Sequence, residues 1–150
     1  RPERTAVDLN AVATSAIELA NYGLRSDGVG ITRAFAPDLP RISADGDQIF
    51  HAVINLLRNA VHAMPHGGEL SIRLRSVPYG VELAVVDTGV GMSEDVIARA
   101  QEAFYTTKTN GSGLGLTIAR RLTEMHGGTL VIESEPDIGT KVTISFPKPN

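Results

Sequence analysis

The chain contains no cysteine. It can therefore form no disulfide, hold no zinc through sulfur and run no thiolate chemistry. That fits a reducing compartment, and a cytoplasmic location is expected. No apolar run approaches the ~20 residues of a membrane span. The N-terminus lacks the pattern of a signal peptide. Direct membrane contact is not expected of this segment. An excess of basic charge is missing too. The chain has 14 Lys and Arg against 17 Asp and Glu, a net charge of −3. A general nucleic-acid binder would be basic, so no nucleic-acid partner is expected. No run of like charges marks a polyanion-binding tail. The sequence shows no internal repeat and no low-complexity segment. It begins at Arg1 without Met, as a piece of a longer protein would, and a membrane-anchored parent is compatible with that.

What is present is a chain of 150 residues with 42% hydrophobic content, enough for one domain with a sizeable core. Residues 1–7 are polar and read as a linker; residues 8–150 read as the domain. Leu9, Val12, Ala13, Ala16, Ile17, Leu19 and Ala20 have helical spacing, with Asp8 as N-cap and Gly23 as stop. Val29 to Phe35 is a candidate strand, closed by Pro37 and Pro40. Ser43 to Asp47 reads as turn material before a second helix, capped by Asp45 or Asp47. That helix ends before Pro65. Leu70, Ile72 and Leu74, then Val81, Leu83 and Val85, alternate with more polar residues and form a hairpin about Pro78-Tyr79-Gly80. Ser93 caps a helix to about Ala103. Gly113 to Leu116 enters another amphipathic helix. Leu130 to Ser134 and Lys141 to Phe146 form a last hairpin. This order predicts an α+β fold: a two-layer α/β sandwich whose mixed, mostly antiparallel sheet carries helices on one face.

Four stretches could carry chemistry. Within the second helix, Ile49, Val53, Leu56, Leu57, Ala60 and Met64 share one side of a wheel turning about 100° per residue. Asn55, Asn59 and His62 occupy the narrow polar stripe that remains, with Arg58 beside it. On so apolar a helix the stripe must line a cleft or find partners. Taken alone, two core Asn bonded to nearby backbone fit equally well. Asp87-Thr88-Gly89-Val90-Gly91-Met92 ends a buried strand. A carboxylate there needs a donor, and an adenine amine is one; a strand-ending Asp in a tight turn is the plainer alternative. Phe104-Tyr105-Thr106-Thr107-Lys108 offers an aromatic anchor, hydroxyls and a cation that could neutralise phosphate; taken alone, a solvated Lys on a loop is the plainer reading. Gly111-Ser112-Gly113-Leu114-Gly115-Leu116 places free backbone N–H groups at a helix start, which suits phosphates, and equally suits a hinge. Near the end, Thr140 after Gly139 can donate toward a base or simply sit in a hairpin turn. The chain has neither a P-loop nor a complete G-x-G-x-x-G. The four His residues are scattered, and none has the spacing of a zinc site.

In this order and spacing the stretches resemble the catalytic ATP-binding domain of sensor histidine kinases, within the wider group that includes gyrase B, Hsp90 and MutL. Asn55 to Ala60 looks like the family's N box and Asp87 to Met92 its G1 box. Phe104 to Lys108 looks like its F box, Gly111 to Leu116 its G2 box, and Gly139-Thr140 its closing glycine-threonine. The resemblance implies a Bergerat-type ATP site. Asp87 would accept the adenine amine, with Gly89, Gly91 and Met92 shaping the pocket. Asn59 would hold Mg²⁺, and Asn55 would position the reacting groups near the γ-phosphate. His62 stands where many relatives carry Lys or Arg, and a neutral His is a weaker clamp. Phe104 to Gly113 would be the ATP lid. Gly113, Leu114, Gly115 and Leu116 would give backbone contacts to phosphate.

The ATP-hydrolysing relatives place a Glu where this chain has Asn55, which cannot take a proton at neutral pH. Transfer to a protein acceptor is therefore expected rather than efficient hydrolysis. No His here has the acidic neighbour and separate helical context of the family's acceptor. The expected partners are a His-bearing dimerisation domain, preceding the 1–7 linker or on a sister chain, and through it a response regulator. Thr-Thr-Lys before a short lid is similar to nitrogen-regulation-type sensors. A Ser/Thr kinase of the anti-sigma-factor type and a nucleotide-driven conformational switch are the alternatives on the same fold.

Overall fold

A computed structural model of the chain describes residues 3–24, 28–100 and 112–148. Strand β1 (Thr5–Val7) leads into helix α1 (Leu9–Leu24), and β2 (Val29–Phe35) and the short β3 (Ile42–Ala44) precede helix α2 (Gly46–His62). The hairpin β4 (Gly68–Val77) and β5 (Gly80–Asp87) follows. Helices α3 (Glu94–Ala100) and α4 (Ser112–Met125) come next, then the hairpin β6 (Thr129–Glu135) and β7 (Gly139–Pro147).

The local causes are those the sequence predicts. Asp8 accepts from the Asn10 N–H at 3.0 Å and opens α1. Leu9, Ala13, Ala16, Ile17 and Ala20 form its buried stripe. Ser93 caps α3 by accepting from the Val96 N–H at 3.3 Å. Residues 101–103, where that helix was expected to end, lie outside the described residues. Two elements were not expected. β1 pairs antiparallel with β3 through Thr5↔Ala44, Ala6↔Ser43 and Val7↔Ile42. The stretch read as linker thus contributes a strand at its end, and the stretch read as a turn begins with one.

The main sheet runs β2-β4-β5-β7-β6. β2 and β4 are parallel, from Val29↔Gly68 to Phe35↔Leu74, so the connection between them crosses over through α2. The other three pairings are antiparallel. This is the mixed, mostly antiparallel sheet of the expected two-layer fold. Rows of apolar side chains cross its inner face: Ile72, Val85, Val142 and Ile132 in one, Leu74, Leu83, Ile144 and Leu130 in the next. Helices α1, α2 and α4 pack together and on this face. Ile49, Val53, Leu56 and Leu57 of α2 are buried against it. Each such side chain contributes about 1.5–3 kcal/mol on leaving water. The outer face is polar, with Arg75 Nε and Tyr79 OH both donating to the Glu82 carboxylate at 2.9 and 2.8 Å. Among the described residues no helix is long and apolar enough to cross a membrane.

Candidate functional site

Helix α2 starts at Asp45, whose carboxylate accepts from the N–H groups of Asp47 and Gln48 at 3.1 and 3.4 Å. The Glu3 N–H reaches its other oxygen at 3.0 Å. These backbone donors, Glu3 foremost, hold the carboxyl below its usual range. The Asp45 N–H donates to His126 Nε2 at 3.1 Å, and His126 Nδ1 donates to the Leu122 carbonyl at 2.7 Å. The N-terminus of α2 is therefore tied to the C-terminal end of α4. As the two helices also pack side by side, they run antiparallel. Arg4 joins this junction, donating to the carbonyls of Ser43 and Met125 at 3.2 and 3.1 Å.

At about 100° per residue, Asn59, Asn55, His62 and Arg58 follow one another across about 100° of the α2 surface. Exposure rises in the same order. Asn59 is only 9% exposed, Asn55 is half-buried, and His62 and Arg58 are exposed. The polar stripe is thus a wall that descends toward Asn59. Asn55 Nδ2 donates to the His51 carbonyl one turn back, at 2.8 Å. Asn59 Oδ1 is buried and meets no donor among the described residues. Asn10 Oδ1 and Gln48 Oε1 share that condition; a buried acceptor without a donor is costly, and a ligand at Asn59 would relieve it.

Asp87 ends β5 on the inner face, level with Leu70 on one side and Thr140 on the other. It is 6% exposed. Burial pushes its carboxyl above the usual range, while the N–H groups of Gly89 and Thr140 pull it back. The Gly89 N–H bond measures 2.8 Å.

The loop that follows is sewn to its neighbours. The Val90 N–H donates to the Ala63 carbonyl at the end of α2, one turn beyond Asn59, at 2.9 Å. The Val90 carbonyl accepts from the Asp137 N–H at 2.7 Å. Gly89 packs so closely that a Cβ would overlap the Ala63 carbonyl. Gly91 has φ +70°, and a Cβ there would overlap the Glu135 carbonyl. Both glycines thus let the loop lie against α2 and the β6–β7 turn. Met92 is half-buried beside them.

Ser134, which belongs to none of the sequence motifs, sits in β6 opposite Thr140. Its hydroxyl lies 2.8 Å from the Met92 N–H, 3.0 Å from the Gly139 carbonyl and 2.7 Å from the Thr140 hydroxyl. A lone Ser in an alternating strand carries no signal, and only the strand register puts it here.

The structure thus ties the end of α2, one turn beyond Asn59, to the loop that follows Asp87, and brings Gly89, Gly91, Met92 and Thr140 to that junction; Asn55 lies a further turn back along α2. Ser112, Gly113, Leu114, Gly115 and Leu116 form the first turns of α4, which packs against α2. The Leu116 side chain is in the core, leaving only its backbone for a ligand. Phe104, Thr107, Lys108 and Gly111 lie outside the described residues. The described residues contain no group of three or more His, Asp or Glu fit to hold a metal by themselves.

Residues 44–150 match the model of the histidine kinase-, DNA gyrase B- and HSP90-like ATPases. The chain belongs to this family. Its relatives within this ATPase family include sensor histidine kinase ZraS of Klebsiella oxytoca, 35% identical over 94% of this chain and 31% of that protein. Sporulation kinase A of Bacillus subtilis is 38% identical over 81% of this chain and 20% of that protein. The chain spans under a third of the length of these relatives. The catalytic domain of histidine kinase ThkA superposes with a TM-score of 0.86 at 30% identity, covering 97% of this chain and 96% of that one. Full-length ShkA in complex with AMPPNP gives 0.85 at 29% identity, covering 98% of this chain and 31% of that one. The resemblance to sensor histidine kinase catalytic domains, the ATP-binding fold and the kinase relationship are all borne out by these matches.

Proposed function

We propose that this chain is the catalytic ATP-binding domain of a sensor histidine kinase. It transfers the γ-phosphoryl group of Mg-ATP to a His on a separate dimerisation domain of its own or a sister chain, and a response regulator acts downstream. The observation that carries this is the α2 wall, with an acceptor-only oxygen at Asn59 and an amide, not a carboxylate, at Asn55.

Mg²⁺ takes hard oxygen ligands and fills its shell with waters and phosphate oxygens. The donor-free Asn59 Oδ1 fits that requirement, and the want of a carboxylate cage fits a metal that arrives with its nucleotide. When bound, the ion would neutralise charge on the phosphates. The remaining work is positioning and charge stabilisation by the chain itself. Asp87 accepts the adenine amine, while Gly89, Gly91 and Met92 form the pocket floor and Thr140 its side. The free N–H groups of the first turn of α4, Ser112 to Gly115, face the phosphates with the positive end of the helix. Asn55 orients the γ-phosphate and cannot deprotonate water. His62 and Arg58, exposed at the upper edge of the wall, add cationic or polar contacts. Phe104, Thr107, Lys108 and Gly111 contribute from the lid. Residues 1–7 connect to the upstream domain, and the domain works in the cytoplasm.

Labelled ATP and Mg²⁺ with a His-bearing dimerisation domain test this. Acid-labile, base-stable label on the partner is expected, and Asn59→Ala should abolish it. Acid-stable label on a hydroxyl would instead identify a Ser/Thr kinase.

A further inference from the structure

Ser134 makes three polar contacts with one proton to give. The Met92 N–H can only donate, so Ser134 Oγ accepts there at 2.8 Å. The Gly139 carbonyl can only accept, so it takes the Ser134 proton at 3.0 Å. The third contact, 2.7 Å to Thr140 Oγ1, then has Thr140 as the donor. Every donor and acceptor of Ser134 is thereby used. The Thr140 proton points away from Asp87 and toward β6, and Thr140 Oγ1 offers only lone pairs on its other side.

Resting on the adenine pocket assigned above, we infer that Ser134 sets the polarity of Thr140 and so makes the pocket selective for a 6-amino over a 6-oxo purine. Asp87 and Thr140 are direct cross-strand partners on the inner face. Asp87, whose carboxyl oxygen already accepts from the Gly89 N–H, is an acceptor, and Thr140 held by Ser134 is another. Two neighbouring acceptors match an exocyclic amine with its two N–H groups. They repel a carbonyl oxygen at the same place, which would leave buried acceptors facing one another. In this arrangement Thr140 accepts from the base where the sequence reading has it donate. Ser134 is thus a positioning residue, acting on the base through Thr140 and on the loop through Met92.

The test is calorimetric binding of ADP and of IDP, which carries an oxo group in place of the amine, to the 150-residue chain. Ser134→Ala releases the Thr140 proton to turn toward the base. The ADP-over-IDP preference is expected to fall by about tenfold, while Ser134→Thr, which keeps the hydroxyl, should retain it. Should Ser134→Ala not fold, Thr140→Val removes the same acceptor, leaves the Met92 and Gly139 bonds in place, and should lower the preference likewise. If ADP and IDP weaken equally in the folded variant, Ser134 only props the turn and the inference fails alone. If Asp87→Asn binds ADP as tightly as the parent chain, the pocket assignment fails and takes the inference with it.

Discussion

Asp87 and Asn59 are two buried polar side chains whose burial the described residues do not fully compensate. Burial raises the folded-state pKa of Asp87 above its unfolded value. Its contribution to stability is fully present in acid, below the unfolded pKa, and is lost as pH rises through the raised folded pKa. Asp45 acts in the opposite sense. Its pKa is lowered, so its contribution is present above the unfolded value and lost as pH falls through the folded one. Subtracting an Asp87→Asn variant isolates Asp87. The variant should melt higher than the parent chain at about pH 7.5, with the gain shrinking toward about pH 4.5, nearer the ordinary carboxylate range. Its ADP affinity should fall by about 10–100-fold, the loss of a hydrogen bond to a charged acceptor. Thermal melts at the two pH values, with calorimetry, check both; a gain that does not depend on pH would deny that the carboxylate is ionised and strained at neutrality. Asp87 and the two Asn were legible in the sequence because each breaks the pattern of an apolar element. Ser134 was not, because it breaks none.

At the scale of elements, periodicity located every helix and hairpin with enough turns or alternations to show it. Strands β1 and β3 have three residues each, too few for a pattern of period two. Their pairing joins Thr5 to Ala44 across all of α1 and β2, a contact no local signal announces. The role of His126 was hidden for the same reason: its partner Asp45 lies 81 residues away. His126 is 2% exposed and satisfies both its ring nitrogens within the fold. His126→Leu leaves the Asp45 N–H without its acceptor and the Leu122 carbonyl without its donor. A loss of about 2–3 kcal/mol follows, and at about 2–4 °C per kcal/mol for a chain of this size the melting temperature should drop by about 5–10 °C. A drop smaller than about 2 °C in a thermal melt would show that the packing of α2 on α4 holds the junction without it.

For the molecule as a whole, the parallel β2–β4 pair, which makes the sheet mixed, was not predicted as such, although the mixed class was. The crossover it requires carries α2 across the sheet and sets its stripe above the end of β5. The same placement gives the Asp45–His126 bond a further meaning. From Asp45 to Asn59 is 14 positions along α2, and from His126 back to Ser112 is 14 positions along α4. At about 1.5 Å of rise per residue both spans are about 21 Å. Under the proposed function the two helices act as arms of equal length, packed side by side and joined at one end by the Asp45–His126 bond, with Asn59 Oδ1 for the cation and the α4 amides for the phosphates toward the other end. His126→Leu should therefore weaken ADP binding although its partners, Asp45 and Leu122, are not among the proposed nucleotide-binding residues. Unchanged affinity in a folded His126→Leu chain would mean that the arms keep their span by packing alone. A weakened affinity would place part of the control of the proposed nucleotide site at the edge where Arg4 donates to the Met125 carbonyl, at the end of α4.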